Sequence, residues 1–181
     1  QPLRREYHGV VAACLLEERN GTSSAILAHH FAEAGDDLAA LPERRKAATE
    51  ARAVFANEEA LHHFGLALAT LEARPAPGAA DLSRAEIRLE MAKIHLLTGS
   101  YATADELFGR VAHETASTGT GSMSARALLG QGECEFELGH YDRAMERLGQ
   151  ARQAAEAAQD RGLQSRIHVT AARVHTRRGE F

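Results

Sequence analysis

The chain has 181 residues, a formal net charge of −4, 5% aromatic residues and no tryptophan, with a pI near 6.2. That balance excludes a nucleic-acid module, which presents a basic face and a pI above about 9. No apolar run approaches the roughly 18 residues that cross a bilayer, and no signal sequence opens the chain, so the expected compartment is the cytoplasm, with no membrane partner.

In chain order, Leu3 to His8 leads into a helical segment containing Cys14. Cys14 and Cys134 fall far apart on apolar helical positions, at neither metal nor redox spacing, and both read as buried free thiols. Ser24 to Gly35 is a segment that fits the same pattern of N-terminal hairpins. A soft break runs from Gly35 to Pro42, where proline is tolerated in a first helical turn. Asn57 to Leu71 is the next helix. Residues 74–81 then bring two prolines and a glycine, with Asp81 placed to cap the succeeding helix. The reading is one domain over 1–181, with N-terminal hairpins in 1–73 and a loop at 74–81. Residues 82–181 carry two full repeats and the first helix of a third.

Three glycine–aromatic pairs set the repeat: Gly99 with Tyr101, Gly139 with Tyr141, and Gly179 with Phe181, for which 139 − 99 = 40 and 179 − 139 = 40. Such a period marks a solenoid, in which each unit buries its apolar face only by stacking on its neighbours. An amphipathic first helix runs through Ile87, Met91 and Ile94 to Gly99, and the second copy runs through Leu128, Cys134 and Leu138 to Gly139. Each glycine supplies the left-handed backbone that closes a helix. Ala104 and Ala144 sit early in the second helix, and Ala92, Gly132 and Ala172 sit at equivalent places in the first. Phe108 and Leu148 fill the space one turn after those alanines. The fold class is all-α, a right-handed α-solenoid of antiparallel helix hairpins with a period of about 40, its core carried by alanine-rich packing.

From Ala85 to Phe181 this pattern resembles the tetratricopeptide repeat, whose usual period is about 34 residues; forty implies longer helices. The segments LAHHFAEAGD, from Leu27, and EALHHFGLALATLEA, from Glu59, are similar to the stretch after the ATPase core of large bacterial STAND-type signalling ATPases. That group includes LuxR-type transcriptional regulators and ATPase-linked adenylate or guanylate cyclases. The resemblance implies a regulatory repeat segment that receives an inducer or protein partner and restrains or releases its neighbouring ATPase.

No catalytic residue, cofactor or metal is expected. Gly119 with Gly121 and Gly130 with Gly132 are not followed by Gly-Lys-Ser/Thr, so no phosphate-cradling loop is present. His29 and His30, near Glu33, and His62 and His63 each read as one packed and one exposed histidine, short of the ligands zinc needs. Glu58, Glu59, Glu133 and Glu135 read as solvated carboxylates, and no nucleophile elbow or triad can be placed.

Adding forty aligns three rows on the concave face of the first helices: Glu86, Arg126 and Arg166; Lys93, Glu133 and Arg173; Leu97, Glu137 and Arg177. Leu89, Leu129 and Val169 would be apolar footholds. These twelve residues are the expected contacts for a protein or peptide partner, or for neighbouring ATPase or output domains of the same chain. Tetratricopeptide domains that clamp a terminal carboxylate use asparagines and lysines on this face, which argues against a chaperone-tail receptor. The last helix, about Leu163 to Arg178, is expected to expose a face meant for burial, through which the chain can form a homodimer. The alternatives are an independent adaptor and, as an outsider, a small-molecule sensor with its effector near Phe31, Phe55 and Phe64.

Overall fold

The computed structural model describes residues 2–18, 23–73, 79–116 and 121–179, and every regular element among them is an α-helix. Contacts divide the chain into two compact units, Gln1–Pro75 and Ala76–Phe181. The first holds α1 (Pro2–Glu18), α2 (Ser24–Ala34), α3 (Asp37–Ala53) and α4 (Asn57–Glu72). The second holds α5 (Ala79–Leu97), α6 (Tyr101–Thr115), α7 (Gly121–Glu137), α8 (Tyr141–Ala157) and α9 (Arg161–Arg178). Within each unit consecutive helices pack together, and α7 also touches α5 and α9. The result in each is a stack of helical hairpins.

The turns show why the sequence repeats. Gly99 and Gly139 both have φ of 79°, and Gly179 has 75°. The Gly99 N–H donates to Leu96 O at 3.3 Å and the Ser100 N–H to His95 O at 2.8 Å, satisfying carbonyls that a helix end would leave orphaned. Gly139 and His140 repeat the arrangement on Phe136 and Glu135. The forty-residue period is the period of this turn.

The same turn geometry also occurs without glycine, at Phe55 and at Gln159, and the turn at Phe55 joins two helices of a hairpin. Phe55 has φ of 60°; its N–H donates to Arg52 O at 3.1 Å, and the Ala56 N–H to Ala51 O at 2.9 Å. Since 99 − 55 = 44, the α3–α4 hairpin is an earlier copy of α5–α6 at a spacing of 44 rather than 40. The shift aligns Ala48 with Ala92, Ala60 with Ala104 and Phe64 with Phe108, all six buried. Burial of each phenylalanine contributes about 1.5–3 kcal/mol.

Gly130 and Gly132 let the second unit close up. A Cβ on Gly130 would lie 2.4 Å from Cζ of Phe108, so that ring rests on the α7 backbone. A Cβ on Gly132 would meet Leu148 at 3.0 Å. Gly132 is thus the small residue of a helix crossing, as its place in the repeat implies.

Several expectations are corrected. Pro42 is the sixth residue of α3, not in its first turn, because the Asp36 carboxylate accepts from the Ala39 N–H at 2.9 Å and starts the helix earlier. The lost donor would have bonded Leu38 O. Cys14 is exposed while Cys134 is buried, since the side of α1 that meets α2 is the one carrying Ala12. Leu138 is 47% exposed beside its turn. Ala172, unlike Ala92 and Gly132, is exposed, as is Val169 at 63%. Most of the 74–81 loop, Gly119 and Phe181 lie outside the described residues, and α5 begins at Ala79, ahead of the expected cap at Asp81.

Candidate functional site

The second unit gathers the candidate residues because α7 touches both α5 and α9. A cleft of about 320 Å³ opens there, its rim carrying Lys93 from α5, Arg126 and Glu133 from α7, and Arg166 from α9. Phe108, Leu129 and Leu163 supply its apolar wall, and Gly130 and Gly162 leave it open. Four of the nine positions in the three rows aligned by the forty-residue repeat therefore share one concavity.

Its electrostatics are mixed. Burial pushes the Glu133 carboxyl above the usual range, and Glu137 adds to the effect, while Arg166 and Arg173 oppose it. Glu133 is therefore half-buried rather than solvated, because α7 is packed on two sides. Glu135 is also largely covered and lies 2.7 Å from His140 Nδ1. Lys93 Nζ holds Glu90 at 2.7 Å. Asp160 lies at the mouth, accepting from Ser122 Oγ at 2.7 Å and from the Leu163 N–H at 3.0 Å. The Ser122 hydrogen bond first, then that N–H and Arg126, hold its carboxyl below the usual range. Arg126 stands 3.8 Å from Asp160.

The other candidates fall elsewhere. Leu89, 4% exposed, packs in the core outside the cleft, whereas Leu129, only 1% exposed, forms part of the cleft wall. Leu97 is 76% exposed at the end of α5. Arg173 lies with its guanidinium carbon 4.8 Å from the Phe136 ring centroid and its Nη2 3.6 Å from Glu137, a stacked and paired cation outside the cleft lining. Glu86 is half-buried, and Arg177 is exposed near the end of α9. Sequence reasoning missed Phe108 as a wall and Asp160 as a mouth residue. The Asp160 signal was legible, since an aspartate three residues before Leu163 has the spacing of an N-cap.

The first unit carries a histidine cluster. His30 is half-buried and His29 exposed, and His8 from α1 brings its Nδ1 to 2.8 Å from His30 Nδ1. Burial first, then His8 and His29, lower the His30 pKa. His63 is half-buried and His62 exposed. Among the described residues no group of three or more histidines, cysteines or carboxylates is placed to hold a metal ion. Phe64 is buried and Phe55 is 83% exposed on its turn, so these phenylalanines do not share one environment.

Among the described residues no helix is long and apolar enough to cross a membrane. No protein-family model matches the chain, and no curated protein matches it in sequence. Among solved structures, the chain is similar to the apo form of RapI, with a TM-score of 0.71 and 12% identity, over 98% of this chain and 65% of the RapI chain. The chain thus spans a little under two thirds of that structure's length, and the likeness shows a helical-repeat fold of the tetratricopeptide kind.

Proposed function

We propose that the chain is a regulatory protein-interaction module of a larger ATP-dependent signalling or transcription-regulating protein. It takes a protein or peptide segment against the concave face of its second unit. The observation that carries this reading is the cleft in which Lys93, Arg126, Glu133 and Arg166 converge from three first helices of successive hairpins. A helical-repeat fold supports it, because stacked hairpins present such surfaces without building a catalytic pocket. Mixed charge over an apolar wall suits an amphipathic segment, with the charges fixing register.

The test has two parts. The parent protein should carry Gly-x-x-x-x-Gly-Lys-Ser/Thr outside this segment, and deleting the repeats should change its ATPase rate. A pull-down with the parent's own ATPase domain should weaken for Arg166→Glu while the helical content stays unchanged. An unaltered ATPase rate on deletion would sink the regulatory reading.

A further inference from the structure

Helix α1 buries little of itself. Among its described residues only Ala12 is buried, with His8, Gly9, Val11 and Leu15 half-buried along the same side. Among the described elements it packs on α2 alone. The Arg4–Glu33 ion pair is 69% and 35% exposed, so solvent screens it and it contributes little. The remaining polar tie is the contact of His8 Nδ1 with His30 Nδ1 at 2.8 Å. One ring donates its N–H there and the other accepts through a bare lone pair, so the contact holds one proton and is broken by a second.

Among the described residues the surrounding charges do not offset that second proton. Tyr7 packs edge-on against His8, and His29 adds a third imidazole, its ring centre 5.9 Å from that of His8 and 5.5 Å from that of His30. Glu33, one turn along α2, is held by Arg4, and Arg5 lies beside Gly35. From α3, Glu50 reaches Ser24, about 9 Å along α2 from His30, and has Lys46 at 3.9 Å. Arg44 turns instead to Thr70 and Asp37, and Glu43 has a buried oxygen with no hydrogen-bond partner. Burial first, then His8 and His29, keep the His30 pKa low, and no α3 charge acts on it. His63 holds the place of His30 in the next hairpin, since 63 − 30 = 33 and each precedes a phenylalanine, but its ring neighbour is His62 of its own helix.

We propose that His8 and His30 form an acid latch, which docks α1 on α2 while at most one ring is charged and releases it when both are. Release bares the side of α2 that carries His30 and Ala34 and leaves the Ser24–Glu50 contact with α3 in place. The released state takes up one proton more than the docked state. Docking is therefore complete above the unfolded histidine value of about 6.5 and weakens below it, by about tenfold between pH 7 and pH 5.5.

Hydrogen exchange of the whole chain, corrected for intrinsic rates, should show α1 amides losing about tenfold in protection between those two pH values while α8 amides hold theirs. His8→Gln should keep the pH 7 protection at both, because a carboxamide pairs with His30 whether that ring is charged or neutral. His62→Gln, on an exposed ring of α4, should leave the α1 difference in place. Equal α1 protection at the two pH values in the wild type would overturn the proposal. So would an acid loss that His8→Gln retains. Loss of α1 protection at pH 7 in both His8→Gln and His30→Gln would overturn it too, by making the two rings packing groups rather than a latch.

Discussion

The α3–α4 and α5–α6 hairpins lie in different units yet give equivalent residues the same work. In each, a buried arginine from the first helix reaches a residue 26 positions later on the second. Arg44 Nη1 donates to Thr70 Oγ1 at 2.7 Å, and Arg88 Nη1 donates to both oxygens of Glu114 at 2.7 Å. In each, a left-handed residue ends the first helix, Phe55 in one and Gly99 in the other. The hairpin is specified by small residues at the crossing, a phenylalanine behind them and a turn that satisfies the helix-end carbonyls. Glycine is one way of filling that turn.

If the two hairpins are copies, their phenylalanines should matter alike. Phe64→Ala and Phe108→Ala should each cost about 3–5 kcal/mol, since both rings are almost fully buried and alanine leaves a cavity. Urea unfolding read by hydrogen exchange would assign each loss to its hairpin. A loss confined to Phe108 would break the equivalence and leave α3–α4 a separate structure with coincident spacing.

The same comparison shows what was legible in the sequence. The period from Gly99 to Gly179 stood out because glycine marks its turn, and Ala104, Ala144, Phe108 and Leu148 proved buried where the repeat puts them. The earlier copy was hidden because Phe55 carries no turn signal and because its spacing is four residues longer. Three of those four lie in the helices, α4 and α5 having 16 and 19 residues against 15 and 17 for α6 and α7. At the cleft, charge could be aligned by arithmetic. Depth could not, because Leu89 lies only four residues from Lys93 yet is buried outside the cleft, and which side of α7 is covered depends on α5 and α9.

The arginines should separate the hairpins by a smaller margin. Arg88→Ala removes both hydrogen bonds to a carboxylate that is itself only 38% exposed, and should cost about 2–3 kcal/mol. Arg44→Ala should cost about 1–2 kcal/mol, because Thr70 Oγ1 keeps its bond to Leu66 O at 3.0 Å and Asp37 is 56% exposed. Equal costs in thermal or urea unfolding would show that the carboxylate adds nothing to the pairing.

The turn gives an effect of opposite sign in the two copies. Left-handed backbone costs a residue with a Cβ about 1–2 kcal/mol, and glycine returns part of the gain as unfolded-chain freedom. Phe55→Gly should therefore stabilise the protein by about 0.5–1 kcal/mol. Its ring is 83% exposed and gives up little burial. Gly99→Ala should destabilise by about 1 kcal/mol, with open space around the new Cβ, so that backbone strain alone accounts for the loss. A destabilised Phe55→Gly would mean that the ring contributes contacts the glycine turns lack.

The smallest difference should appear only in acid. His63 aligns with Leu107, since 107 − 63 = 44, so one copy has a titrating group where the other has a hydrocarbon. Burial first, then His62, with Arg44 adding and Glu59 opposing, lower the His63 pKa. Below its unfolded value of about 6.5 the unfolded chain takes up a proton that the folded hairpin resists. The contribution of neutral His63 is thus complete above that pH and is lost as pH falls through it toward the folded pKa. Its Nδ1 is buried with no hydrogen-bond partner, so His63→Leu removes no bond at that atom and should leave stability at pH 7 unchanged or slightly higher. At pH 5.5 the variant should hold its urea midpoint where the wild type has begun to lose it, with the protection of α4 amides following the same difference. If the acid loss persists in His63→Leu, it belongs to His30, whose lowered pKa arises from burial, His8 and His29 in the α1–α2 pair, and the α3–α4 hairpin is then no more acid-sensitive than its copy.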